Sequence, residues 1–410
     1  MENKIIKIAS WMLSSFFFLI LLLRLFNMAN IDLHLLQIMN VSYFIAGIFC
    51  LRKTSIIGFD IIIVLYLVYM LLNGVTINYK FHGEFVYRAL LFHVFPVMCY
   101  FIGRYTQIDI GKYIERMKWA ILFAMICGIA FYFLHPSWYV SMKAAQLQEY
   151  ANEMRIAEIY RLSSFWGHPY ALGYATFLYS IFVTKQLIIG IDKQKDLLFY
   201  TFTLFICITV LLLAQLRITI VVYALSLIYM ILFVRQESLT KKIKKILLLV
   251  FLIISFLYLS LQLASDNVEY ITNHMMSLME EDSMSDRFEH TAGGITSYTL
   301  FGDGLGRYGY PARRHGMWAI VDNEFQCHIA ELGFIGISLL GSIIFFTILR
   351  CLKRSRLILE NTIIIFYFLA MIGASVLSNH HQYNFIFWYT LGLLWSNKYK
   401  CLNMQKSKER

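Results

Sequence analysis

SDRFEHTAGGITSYTLFGDGLGRYGYPARRHGMWAIVDNEF, Ser285 to Phe325, is polar and glycine-rich in a chain that is otherwise a succession of apolar runs. The polar segment as a whole extends over 265–323, with glycines at 293, 294, 302, 304, 306, 309 and 316. A connection that long without helical patterning, punctuated by glycine, is functional or disordered. We read it as part of an active site. It carries Arg287, Arg307, Arg313 and Arg314, and with them His290, His315, Asp303 and Asp322, with Glu324 just beyond.

On both sides of this loop the composition leaves little choice of environment. Hydrophobic residues make up 59% of the 410 positions and charged residues only 15%, against about 25% charged in a soluble domain. Runs of apolar residues recur at the length needed to cross about 30 Å of hydrocarbon. Lipid offers no hydrogen-bond partners, so each run must close its backbone bonds internally as a helix. The fold class expected is all-α, a polytopic membrane protein. We place spans near 8–26, 33–51, 56–73, 89–103, 117–134, 169–190, 197–214, 216–234, 246–264, 325–350, 361–378 and 383–397, about twelve in a single membrane domain. The first follows Lys4 and Lys7 but lacks a clear small-residue cleavage site, so it is kept as a span. The seven cysteines have no regular spacing and read as small apolar fillers. No metal site, cofactor or nucleic-acid partner is expected.

Charge sets the orientation. With both termini cytoplasmic, the inner segments collect 25 of the 36 basic residues, as the positive-inside rule requires. The other eleven are Arg24, Lys80, Arg88, Lys143, Arg155, Arg161, Arg217, Arg287, Arg307, Arg313 and Arg314. Arginine dominates this outer set, whereas lysine dominates the inner one. Topology asks only for positive charge. A guanidinium adds a rigid fork that binds phosphate or carboxylate oxygens bidentately and tolerates partial desolvation. The outer face therefore reads as prepared for a phosphorylated or acidic ligand. The two long extracytoplasmic loops are 135–168 and 265–323, the latter between the ninth and tenth spans. Pro169 suits the first turn of a span, which puts Arg161 to His168 at the outer mouth of the sixth helix. AQLRIT joins two spans almost without a loop, so Arg217 sits at the membrane surface, where an ionisable residue is a functional candidate by default.

In order along the chain, these residues resemble a known pattern. RLSSFWGHPYALG, 161–173, is similar to the R-x-x-G/S-F-x-x-H-P-x-x-L-G entry to a span in the O-antigen ligase and polymerase superfamily (Wzy-like and ligase-like proteins). A second arginine at the outer end of a later span corresponds to Arg217. The large loop opens with an arginine, here Arg287, and reaches a glycine cluster, here FGDGLG at 301–306. It closes on DNEFQCHIAELGFIG at 322–336, an Asp-Asn pair followed by a helix with Gly-x-x-Gly. The resemblance covers roughly 160–336 and the span plan. It implies a GT-C-like membrane glycosyltransferase that takes a glycan carried on undecaprenyl pyrophosphate at the outer face of the bacterial cytoplasmic membrane. Ligases usually have His before the Asn; Asp322 in that place resembles the polymerases of O-antigen and capsule.

Such a polymerisation needs cations for the departing pyrophosphate, a base for the attacking sugar hydroxyl and a groove for saccharide. Arg161, Arg217 and Arg287 are expected to hold the pyrophosphate, since preorganised charge there stabilises the transition state. Asp322 and His315 are the candidate bases, with Asp322 at the family position and His315 better matched to neutral pH. Asp322 could equally cap the tenth helix. His168, Arg307, Arg313, Arg314 and Asn323 complete the expected substrate-binding set. A single displacement predicts inversion at the anomeric carbon, and the scheme calls for no metal. Trp138, Trp166, Tyr298, Tyr308, Tyr310 and Trp318 would stack on sugars or form an interfacial belt. Expected partners are the lipid-linked glycan donor and acceptor, the bilayer, a chain-length regulator and a flippase. Two alternatives stay open: a ligase that moves glycan to lipid A core, and a lipid-linked oligosaccharide flippase. A flippase should line a central cavity with cations, whereas mid-span positions here are almost free of charge, Asp60 being the main exception.

Overall fold

The structure, a computed structural model, describes residues 2–16, 18–19, 34–77, 83–141, 161–166, 169–189, 194–214, 217–233, 299–309, 323–353, 358–373, 376–377 and 383–396, with isolated positions between 240 and 258. Every regular element among them is a helix. In order these are α1 (Glu2–Ser14), α2 (Leu35–Lys53), α3 (Gly58–Thr76), α4 (Gly83–Ala89), α5 (Cys99–Thr106), α6 (Ile110–Leu134), α7 (Pro169–Ile189), α8 (Gln194–Leu213), α9 (Arg217–Phe233), α10 (Glu324–Lys353), α11 (Ile358–Gly373) and α12 (Asn384–Trp395). Six helical stretches among the described residues are long and apolar enough to cross a membrane: α2, α3, 86–106, α6, 195–213 and α10, with mean hydropathies of 1.5 to 2.4. The chain is a polytopic membrane protein. The expected ninth span and most of the 265–323 loop lie outside the described residues.

Helix α3 shows the membrane logic residue by residue. Asp60, Tyr66 and Asn73 are buried, while Ile61, Leu65, Val68, Leu72 and Val75 are exposed. That is the reverse of a water-soluble helix. It is stable where the surroundings are hydrocarbon and the polar groups must be satisfied inside the bundle. The same inversion recurs on α9, whose Val221, Leu225, Ile228 and Leu232 face outward while Thr219 and Ser226 are buried.

Two close contacts set the packing. Gly103 on α5 and Gly392 on α12 face each other's main chain: a Cβ on Gly103 would run into the carbonyl of Tyr389, and one on Gly392 into that of Tyr100. Small residues let helix backbones approach where lipid gives no hydrophobic drive to association. Between α7 and α11, the rings of Phe177 and Phe366 stack at 3.5 Å between centroids.

One end of the bundle is closed by a buried ion pair. Oδ2 of Asp60 accepts the amide of Ile57 at 2.9 Å, which caps α3, and lies 3.3 Å from the Arg104 guanidinium. Tyr100 donates its hydroxyl to Oδ1 at 2.5 Å. Arg104 also donates to the carbonyls of Ser55 and Trp395, and Arg350 lies over the Trp395 ring at 4.8 Å. Asp60, the main exception expected among the almost charge-free mid-span positions, is thus a paired structural group near the start of α3. The C-terminal ends of α5, α10 and α12 meet the N-terminal end of α3 here.

The span expected at 89–103 is not one regular helix. Between α4 and α5 the chain makes a π turn over Leu90–Val94 and a 3-10 turn over Phe95–Met98. Pro96 is the cause: it has no N–H to give the carbonyl four residues back, and its ring crowds that carbonyl. The carbonyl is that of Phe92, and it accepts instead from Nδ2 of Asn384 at 3.2 Å.

Candidate functional site

At the opposite end of α3, helix α10 is broken at Gly333, whose φ of 65° and ψ of −165° are open only to glycine. A break inside an apolar helix frees carbonyls on one side and amides on the other, and in a membrane these must find partners. The glycine cluster supplies them. Asp303 donates its amide to the Ala330 carbonyl at 2.8 Å and Gly304 to that of Glu331 at 3.0 Å. On the far side, Phe334 donates to Thr299 at 3.2 Å and Ile335 to Leu300 at 3.3 Å. The approach is so close that a Cβ on Gly302 would meet the Glu331 carbonyl, and one on Gly333 the Leu300 carbonyl. Gly302, Gly304 and Gly306 all have positive φ, at 74°, 114° and 84°. FGDGLG is therefore spelled with glycine because its main chain is a plug in the helix break.

Helix α3 braces the plug. Asn73 donates Nδ2 to the Phe301 carbonyl at 2.7 Å and accepts the Leu305 amide at 2.8 Å. Tyr69 donates its hydroxyl to the Leu332 carbonyl at 2.5 Å.

Below the plug lie three ionisable side chains from one face of α10: Glu324, His328 and Glu331, spaced i, i+4, i+7. All three are buried. Glu331 accepts the amides of Tyr308 at 2.8 Å and Gly309 at 2.7 Å, so a carboxylate ties the end of the plug to the broken helix. Nδ1 of His328 is 2.9 Å from Oε1 of Glu324, and Nε2 is 2.7 Å from the Tyr66 hydroxyl. Nδ1 also lies 3.2 Å from the main-chain carbonyl of Glu324, which can only accept, so Nδ1 carries a proton. The other oxygen of Glu324 takes the Leu377 amide at 2.7 Å. The result is a carboxylate, imidazole and phenol chain running from α10 to the middle of α3.

Nearer the surface, Tyr308 donates its hydroxyl to Oδ2 of Asp303 at 2.6 Å, and Arg307 lies 3.9 Å from the same oxygen. Burial holds the Tyr308 phenol well above its ordinary range, and the bond to Asp303 adds to the effect. Its ring is buried. It is a strut of the plug and presents no face on which a sugar could stack.

Of the site residues expected from sequence, three can be placed in full. Arg161 is buried, and its Nε donates to the Ala214 carbonyl at 3.0 Å; the Leu162 amide meets Leu213 at 3.1 Å. Arg161 therefore lies against the chain three positions before Arg217, which begins α9 and whose side chain lies outside the described residues. Asn323 is the N-cap of α10, with Oδ1 accepting the Gln326 amide at 3.1 Å. Arg307 stands beside Asp303 as described. Asp322, His315, Arg287, Arg313, Arg314 and His168 lie outside the described residues, as do Tyr298, Tyr310 and Trp318. The Arg161 segment and the helix break share one end of the bundle: Tyr174, early in α7, lies 6.5 Å from the ring of Tyr383, which directly precedes α12.

His93, His328, Glu331 and Tyr66 were not among the expected site residues. Their signal is ionisable side chains within apolar runs, and for α10 their common helical face. A scan against protein-family models finds no match to this chain, nor does a search of curated proteins.

Proposed function

We propose that this chain is a polysaccharide polymerase of the cytoplasmic membrane. It joins oligosaccharide repeat units carried on undecaprenyl pyrophosphate at the outer face, by an inverting, metal-independent transfer. In this reading both termini are cytoplasmic, about twelve spans cross the membrane, and the end of the bundle with the broken helix faces outward. Arg161, Arg217 and Arg287 bind the pyrophosphate as it departs, and Asp322 or His315 takes the proton of the attacking hydroxyl.

The observation that carries the proposal is the seating of Arg161 against Ala214. Two arginines 56 positions apart in sequence are thereby brought to adjoining stretches of main chain, at the same end of the bundle as the glycine plug. Charge preorganised in a dry site is worth about 10²- to 10³-fold in rate for each contact. Arg217→Ala and Arg287→Ala are expected to leave membranes that make one lipid-linked repeat unit and no long chains. Normal ladder lengths at wild-type protein levels would refute the pyrophosphate role. A ligase would differ in the same assay, with long polymer accumulating on the lipid carrier and never reaching its acceptor.

One observation favours a transporter: a broken helix with ionisable groups at membrane depth is a device of secondary transporters. Against it, the plug fills the break with main-chain hydrogen bonds. The cavity left beneath measures about 10 Å³, too small for any sugar. Scrambling of lipid-linked glycan by the purified protein in vesicles, without polymerisation, would reverse this preference.

A further inference from the structure

Beneath the plug, Tyr66, His93, Leu305, His328, Glu331 and Asn384 line this cavity of about 10 Å³. Met70, Leu377 and Trp388 complete the wall, and a space of that size with polar groups on one side is just large enough for one water molecule. Two of its lining groups need one. Asn384 is 1% exposed and its orientation is not in doubt: Nδ2 donates to the carbonyls of both Phe92 and Leu377, at 3.2 and 2.5 Å, so Oδ1 must point the other way. That Oδ1 has no hydrogen-bond partner among the described residues, and neither does Nε2 of His93, a side chain 8% exposed. Buried polar atoms are nearly always paired, with protein or with ordered water. His93 is also set where the backbone is least regular, in the π turn that Pro96 imposes.

We propose that this cavity is a binding site for a single water molecule, which donates one O–H to Oδ1 of Asn384 and hydrogen-bonds Nε2 of His93. The water ties three irregular features to one centre: the π turn carrying His93, the start of α12 carrying Asn384, and the break in α10 above. It also sets a proton carrier beside the Glu324, His328 and Tyr66 chain, inside the membrane domain. The site stands whatever reaction the protein performs.

Water-edited solid-state NMR on ¹⁵N-histidine protein in lipid bilayers tests this. His93 is assigned by the signal lost in His93→Phe, and the exposed His34 and His135 serve as positive controls. The expected result is magnetisation transfer from water to His93, lost in Asn384→Leu while His34 and His135 are unchanged. A His93 signal without transfer, or transfer that survives Asn384→Leu, overturns the proposal. Should Asn384→Leu fail to fold, the wild-type protein decides alone. A cryo-EM map that shows ordered solvent elsewhere in the bundle must show a peak within about 2.7–3.2 Å of both atoms. A map without that peak, or with Nε2 bonded directly to a protein group, ends it.

Discussion

Glu331 holds the plug through hydrogen bonds that its carboxyl group accepts from main-chain amides, and its removal exposes what such a bond is worth. In Glu331→Ala the amides of Tyr308 and Gly309 lose their acceptor in a buried setting. Each orphaned amide costs about 1–3 kcal/mol, so the variant should lose roughly 2–6 kcal/mol of stability. Glu331→Gln keeps a carbonyl oxygen there and should lose much less. Thermal unfolding in detergent distinguishes the two, and equal losses would show that the charge matters more than the acceptor. At the surface of the plug, Tyr308→Phe should release Asp303 from its 2.6 Å bond at a cost of about 1 kcal/mol, read by the same measurement. These residues were hard to find from sequence for a definite reason. A histidine or glutamate inside an apolar run is absorbed into the span, because hydropathy averages over the window. Only the i, i+4, i+7 spacing of Glu324, His328 and Glu331 singles them out.

At the scale of elements, the helices themselves were legible. Lipid forces every long apolar run into a helix, and the expected 33–51, 216–234 and 325–350 correspond to α2, α9 and α10 within a few residues. The departures from regularity were less legible. Pro96 marks the π turn locally, but the turn is tolerable only because Asn384, 292 residues away from Phe92, accepts the task of pairing the freed carbonyl. Gly333 reads as one of several small residues in a helix, and nothing near it announces that the main chain at 299–304 will complete it. FGDGLG was visible as a glycine cluster, and its role as a plug was not. Two substitutions test these joints. Gly333→Ala puts a Cβ against the Leu300 carbonyl in a backbone conformation closed to alanine, and should lower stability by about 3 kcal/mol or more. Gly392→Ala pushes α12 off α5 and should cost about 1–3 kcal/mol as an overpacked contact. A wild-type melting temperature for either would mean the helices meet less closely than described.

For the whole molecule, the arrangement of ends makes a topological prediction. Lys53 closes α2 near the layer of Asp60, Arg104 and Arg350, whereas Trp138 follows α6 at the other end. Both are exposed; among the described native cysteines Cys50, Cys99, Cys207, Cys327 and Cys351 are buried and Cys127 is half-buried, so the unsubstituted protein is the labelling control. An impermeant maleimide applied to intact cells should label Trp138→Cys and spare Lys53→Cys; the reverse pattern would invert the proposed orientation. The plug also constrains how the chain is made. Asn73 and Tyr69 are synthesised 228 and 263 residues ahead of the carbonyls they grip, those of Phe301 and Leu332. Until the chain has been made through residue 332, α3 carries an amide and a phenol without the main-chain partners they hold in the finished fold. A chain cut off before residue 299 therefore leaves both side chains without the carbonyls they grip.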